Sequence, residues 1–304
     1  MELKYRPEID GLRTIAVLAV VVYHLDVHVG DTQILKGGFL GVDIFFVISG
    51  FLITSIILSE YQQTQRFSLA RFYERRVRRL LPALLTVMLV FLPVGWLLLL
   101  PAQLVDFCRS VLSSIAFGSN FYWHFTMQEY GAESALLKPF LHTWSLAVEE
   151  QFYIVFPLLL VAAYRWRSNQ TLLLLGGGLL LSLLIAEGTT RVDQSFSFYM
   201  LPSRFWELLA GGLLAHLLQQ HPRALNHSLL ARIMPMLGLL LIGQGLIFTA
   251  YDANHPGFVT IIPVLGTMLI IGFATPRDPV TRLLSTRPFV WTGLISYALY
   301  LWHY

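Results

Sequence analysis

The sequence is short of cysteine, lysine and charge, and each shortage excludes something. A single cysteine, Cys108, in 304 residues rules out a disulfide framework and a cysteine metal site. Charged residues make up only 13% of the chain, about half the share of a soluble domain. Together with the small net charge of +3, this excludes a disordered chain or a nucleic-acid arm, so no nucleic-acid partner is expected. Lysine is scarce too, with 3 against 18 arginines. No small-residue cleavage site follows the first apolar run, which therefore reads as a retained helix and not a signal peptide. Walker, Gly-x-Ser-x-Gly and dinucleotide motifs are missing. Of the nine histidines only His24 and His28 stand at His-x-x-x-His spacing, and no cysteine or zinc-protease motif accompanies them, so no metal is expected.

What is present is apolar. Hydrophobic residues make up 56% of the chain, more than one soluble globule can hide. A membrane helix needs about 20 mostly apolar residues. Candidate spans are 12–29, 39–58, 80–100, 146–164, 172–187, 204–218, 233–250, 258–274 and 289–304. A further run at 107–124 carries Arg109 and several serines. If that run does not cross and the N-terminus is cytoplasmic, 16 basic residues lie inside and 5 outside; if it crosses, the split is 12 to 9. The first arrangement follows the positive-inside rule better. The expected fold is an all-α polytopic membrane helix bundle forming one domain over 1–304. It has nine crossings, with 107–124 re-entrant or peripheral near the outer face.

Ionisable groups inside such spans are costly and are functional candidates. Arg13 and His24 share the first span, about 16 Å apart along its axis. Asp43 opens the next span at a similar depth to His24, so the two could meet, the carboxylate orienting the imidazole as a general base. An Asp that merely caps the helix start is an equal alternative. Ser49 and Gly50 read as close-packing residues. Six arginines fall between the second and third spans (Arg66, Arg71, Arg75, Arg76, Arg78 and Arg79), and Arg76 and Arg79 share a helix face. The patch suits either an anionic-lipid or topogenic role or phosphate binding. Glu149 and Glu150 cannot both face lipid cheaply. They fit acid–base chemistry, pairing to an arginine, or sugar binding. Arg204 and Glu207 are three apart and fit a local ion pair as well as a site. Trp144 and the other tryptophans fit an aromatic belt or stacking on a sugar. His303 falls towards the outer half with His24.

Six blocks carry a resemblance. Arg13-x10-His24, GVDIFFVISGFLI (41–53), FYERRVRRLLPA (72–83), LHTWSLAVEEQFY (141–153), SRFWELLAGGLL (203–214) and SYALYLWH (296–303) occur in order over nearly the whole chain. Together they resemble the acyltransferase-3 membrane family, above all bacterial O-antigen, lipopolysaccharide and exopolysaccharide O-acetylases. The resemblance implies a ten-helix O-acyltransferase of the bacterial inner membrane, passing an acetyl group from cytoplasmic acetyl-CoA to a glycan hydroxyl outside. His24 matches the family's essential histidine, Arg13 its partner, and Arg76 and Arg79 the pair that holds the CoA phosphates. The expected catalytic residues are His24, Asp43, Glu149 and Glu150, with Arg13, Arg76 and Arg79 binding CoA. Trp144, Arg204, Glu207 and His303 are expected at the glycan. The expected partners are that glycan, free or undecaprenyl-linked, acyl-CoA and membrane lipids. The family's last motif runs on to proline and one more helix, and many relatives add an esterase-like domain. The chain is therefore expected to be a family core cut short at its C-terminus. A flippase of lipid-linked sugars would also place ionisable groups at depth, and a non-catalytic membrane subunit is a third reading.

Overall fold

A computed structural model of the chain describes residues 5–128, 138–166, 168–220, 229–250 and 253–304. Lys4, Arg167 and Arg223 of the charge count lie outside the described residues. The one sheet among the described residues is a two-residue ladder, His28–Val29 against Thr32–Gln33. The rest of the regular structure is helical. Five stretches are long and apolar enough to cross a membrane: Gly38–Thr64, Leu69–Leu98, Leu141–Arg165, Gln170–Thr189 and Leu230–Phe248.

Several element bounds differ from the apolar runs. Helix α1 spans Pro7–His24, starting and ending about five residues before the expected span. Pro7 suits the first helical position, and Glu8 and Asp10 favour the positive end of the helix dipole, so polar residues start this helix. After His24 the chain turns at Asp26, whose φ is +50°, and the apolar Val27–Val29 goes into the hairpin. Helices α2 (Gly41–Thr64) and α3 (Leu69–Leu98) follow. The 107–124 run is two helices, α4 (Pro101–Ile115) and α5 (Ser119–Thr126), broken where Phe117 takes a φ of +52°. At about 1.5 Å per residue, neither is long enough to cross alone.

The chain continues through α6 (Trp144–Trp166), α7 (Ser168–Thr189), α8 (Gln194–Tyr199), α9 (Leu201–Gln220), α10 (Leu230–Phe248), α11 (Ile261–Phe273) and α12 (Pro279–Leu284). The last expected span, 289–304, is also two helices, α13 (Arg287–Leu294) and α14 (Ser296–Trp302), meeting at Ile295. The break lets α13 cross α1 at Gly293 while α14 carries Ser296 and Tyr300 to the interior. Helices α3, α7 and α10 turn leucines such as Leu97, Leu173 and Leu240 outward, as hydrocarbon solvent requires. Helices α1 and α9 bury charge inside the bundle: Arg204 is 1% exposed and Asp10 5%.

Glycines set the closest helix crossings. A Cβ on Gly50 of α2 would strike the carbonyl of Leu208, and one on Gly211 of α9 the carbonyl of Val47. The α2–α9 contact thus depends on two positions without side chains, the small-residue packing expected for Gly50. Gly176 and Gly177 of α7 meet nothing within 4 Å. Gly211→Ala should lower the melting temperature in detergent, by overpacking worth about 1–3 kcal/mol. Gly176→Ala should leave it unchanged or raise it, since Ala is the better helix former by roughly 0.5–1 kcal/mol. Equal melting temperatures for the two variants would contradict this packing.

Candidate active site

Helices α1, α2, α3, α6 and α14 enclose a cavity of about 440 Å³, within the range of small-molecule sites. One end holds Tyr5, Arg13 and Arg79, from the starts of α1 and α3. Its walls are apolar, with Phe45, Phe46, Leu52 and Ile53 of α2. The other end closes on Ser145 at the start of α6 and Tyr300 near the end of α14.

The arginine cluster divides between two faces of α3. Arg71, Arg75 and Arg78 are exposed, and Arg75 and Arg78 pair with Glu60 (3.7 Å) and Glu74 (2.7 Å). Arg76, half-buried, and Arg79, exposed at the cavity's edge, both line the cavity, as their spacing requires, but differ in freedom. Arg76 Nη2 donates to Glu150 Oε1 at 2.8 Å, and its guanidinium lies 3.5 Å from the Tyr153 ring centroid. It is tied to α6. Arg79 makes no hydrogen bond or ion pair among the described residues. Arg13 Nη1 donates to Asp10 Oδ1 at 3.1 Å, while the Tyr5 hydroxyl donates to Asp10 Oδ2 at 2.7 Å. Arg79 and, after release from Asp10, Arg13 are therefore the cavity's available anion ligands.

The two adjacent carboxylates also separate. Glu150 is the partner of Arg76. Glu149 faces the cavity and accepts hydrogen bonds from the Ser49 and Tyr153 hydroxyls. Ser49 therefore has a polar role as well as a packing one.

Beyond the Ser145–Tyr300 end lies a cluster of rings. His24 has its ring centroid 5.0 Å from His303 and 5.2 Å from Tyr304; His303 lies 5.3 Å from His142. His24 Nδ1 is 2.9 Å from the carbonyl of Val20, one turn earlier. A carbonyl only accepts, so Nδ1 carries the proton and Nε2 keeps its lone pair. Burial leaves His24 partly accessible, as a base acting on an incoming hydroxyl requires.

The expected meeting of Asp43 with His24 does not occur. Asp43 is fully buried and accepts from Arg204 Nη1 at 2.9 Å, with His255 Nε2 at 3.1 Å. Arg204 also donates to Glu207 at 3.2 Å. A buried carboxylate takes the nearest cation, and the guanidinium on α9 outcompetes a neutral imidazole at the end of α1. Asp43, Arg204 and Glu207 do not line the cavity. Trp144 does not either: its indole packs on Phe198 (centroids 4.6 Å apart) and under the Arg204 guanidinium (5.1 Å), with no face free for a sugar.

Sequence reasoning missed His142, Ser145, Tyr300 and His255. Ser145 had a signal, being four residues before Glu149 on the same helix face. Tyr300 lies three before His303, and His142 inside a quoted block. His255 had none, since nothing in linear spacing connects it to Asp43, 212 positions away.

The acyltransferase domain family matches residues 6–304. The chain is 35% identical to the peptidoglycan O-acetyltransferase OatA of Listeria monocytogenes, over 99% of this chain and 49% of that protein. It is also 35% identical to the O-acetyltransferase OatA of Staphylococcus aureus, over 99% and 50%. The chain thus spans about half the length of these relatives. No solved structure matches it at a comparable level. The match along nearly the whole chain makes this chain a member of the acyltransferase-3 family.

Proposed function

We propose that this domain transfers an acyl group, most simply acetyl, from acyl-CoA to a hydroxyl of a cell-surface glycan. The observation that carries the reading is the cavity that has Arg13 and Arg79 in its lining and Ser145 and Tyr300 beside the ring cluster of His24, His303 and His142. Donor and base approach one another there from opposite ends of the bundle.

The cavity fits the donor chemically. A free guanidinium, Arg79, and a second one at Arg13 suit the CoA phosphates at the mouth. The apolar walls suit the pantetheine arm, and the Ser145–Tyr300 end suits the thioester. An acceptor hydroxyl entering by the ring cluster meets the thioester at that end, and the bare Nε2 of His24 takes its proton as the oxygen attacks the thioester carbon and the thiolate leaves. Glu149, held by the Ser49 and Tyr153 hydroxyls, orders the middle of the cavity. In this reading the arginine end is cytoplasmic, with the N-terminus inside and nine crossings of the bacterial inner membrane. The name of the Listeria relative makes peptidoglycan the first acceptor to test, ahead of an O-antigen or an undecaprenyl-linked precursor.

Membranes carrying the chain should release CoA from labelled acetyl-CoA, and glycan from producing cells should gain acetyl mass. Translocation of glycan without acetyl-CoA consumption would replace this reading with a flippase. Within it, Arg79→Ala should raise KM for acetyl-CoA about tenfold or more, the loss of one charge-assisted contact worth about 1.5–3 kcal/mol. Its kcat should change little. Arg76→Ala should instead lower the amount of folded protein, because it strips Glu150 of its partner. The reverse pattern would exchange the roles of the two arginines.

A further inference from the structure

The arginine end of the cavity holds a ring that the chemistry above leaves unused. Tyr5, two residues before α1, is the one exposed aromatic side chain among the described residues lining the cavity, at 63%. Its hydroxyl does not turn to water. It donates to Asp10 Oδ2 at 2.7 Å, and Asp10 is buried. The other oxygen of that carboxylate accepts from Arg13 Nη1 at 3.1 Å. One buried carboxylate thus holds an aromatic ring and a guanidinium side by side at the mouth. An aromatic-belt tyrosine does the opposite, laying its ring among lipid and its hydroxyl in the wet layer. With the Tyr5 hydroxyl tied, the part left for a ligand is the ring. Arg6, the next residue, also lines the cavity but is committed elsewhere: it donates to Glu8 Oε1 at 2.7 Å and to the carbonyl of Ile271 at 2.6 Å. The cations left beside Tyr5 are Arg13, with its one bond to Asp10, and Arg79.

We propose that Tyr5 stacks on the adenine of acyl-CoA, with Asp10 fixing the ring beside the arginines that take the phosphates. This rests on the acyl-transfer reading above and gives it a nucleotide subsite. The donor carries a flat base, then phosphates, then a long thin arm. The cavity offers a bare ring at Tyr5, then the guanidinium groups of Arg13 and Arg79, then the apolar walls of Phe45, Phe46 and Leu52. Stacking uses the face of the tyrosine and asks nothing of its hydroxyl, so the bond to Asp10 persists when the base is bound. A ring already held loses little freedom on binding. Arg13 shares the carboxylate through a single hydrogen bond and can exchange it for a phosphate while Tyr5 stays in place. A thioester without the nucleotide reaches the same Ser145–Tyr300 end but forgoes the ring. Tyr5 is therefore a specificity residue for CoA over shorter pantetheine thioesters, and it touches no reacting atom.

The test uses membranes carrying the whole chain, a glycan acceptor and two labelled donors, acetyl-CoA and acetyl-phosphopantetheine, which lacks the adenine nucleotide. The variants are Tyr5→Leu and Tyr5→Phe. Loss of one base stack should raise KM for acetyl-CoA about tenfold in Tyr5→Leu, with kcat unchanged. KM for acetyl-phosphopantetheine should stay where it is in the parent. Tyr5→Phe keeps the stacking face and should fall nearer the parent than Tyr5→Leu. The ratio of the two KM values does not depend on how much folded protein a variant yields, so a less stable variant still reports. An equal rise for both donors in Tyr5→Leu would mean that Tyr5 acts only by holding Asp10 and Arg13, and it overturns the stacking. A KM for acetyl-CoA within about twofold of the parent does so too, as does a Tyr5→Phe variant as impaired as Tyr5→Leu. Each of these results leaves the acyl-transfer reading standing. If the unaltered chain consumes neither donor, both fail together.

Discussion

Replacing His24 by alanine lowers acetyl transfer by about 10²–10⁴-fold, the usual worth of a positioned general base, while the protein still inserts and folds. The second half of that expectation makes it informative. His24 is the last residue of α1, partly exposed, and its hydrogen bond goes to the backbone of its own helix. Losing that bond costs about 1 kcal/mol. The rings around it, His303, Tyr304 and Tyr23, retain other neighbours. A large fall in rate at near-constant stability is therefore expected, unlike at the buried charges deeper in the bundle. Transfer of acetyl from labelled acetyl-CoA, with protein amount and melting temperature recorded in parallel, checks both halves. Full activity in a folded His24→Ala variant would remove the base from the mechanism. Loss of insertion would make His24 structural.

The sequence carried the architecture in outline because hydrophobic runs and charge placement are local quantities. It showed an all-helical, multi-pass membrane bundle and the shared face of Arg76 and Arg79. It did not show where helices begin and break. Pro7, Glu8 and Asp10 start α1 in spite of their polarity, and Phe117 and Ile295 stop helices through backbone angles that no hydropathy window registers. Residues quoted for the site fell into two separate places. Arg13, Arg76, Arg79 and Glu149 line one cavity and His24 and His303 sit in the ring cluster next to Tyr300, whereas Asp43, Arg204 and Glu207 form a closed knot beside them. Similar depth in the membrane gave the impression of one group. Depth is one coordinate of three, and the pairing of Asp43 was decided by which helix, α1 or α9, presented a cation to it.

That knot carries the second large effect. Arg204→Leu should prevent the protein from accumulating in a folded state. The guanidinium is 1% exposed, and Asp43 and Glu207 beside it are 0% exposed. Removing the arginine leaves Asp43 with only His255 and Glu207 with no cation, and breaking a buried pair costs about 3–5 kcal/mol. Domains hold only about 5–15 kcal/mol in all. The cation also spans the contact between the first turn of α2 and the start of α9, the two helices whose backbones meet at Gly50 and Gly211. Its loss therefore loosens the closest crossing in the molecule. If the cost is uncompensated charge, removing the charge on both sides should recover much of it. Asp43→Asn and Glu207→Gln combined with Arg204→Met should melt nearer to the parent than Arg204→Leu alone. Size-exclusion profiles and melting in detergent read this directly. A single variant that melts like the parent would mean the knot contributes little. A triple variant restored in stability but not in acetyl transfer would give these residues a part in the chemistry, although none of them reaches the cavity. Recovery of both would assign the knot to holding α2 against α9, and so to keeping the cavity walls on α2 in register with Arg79 and His24.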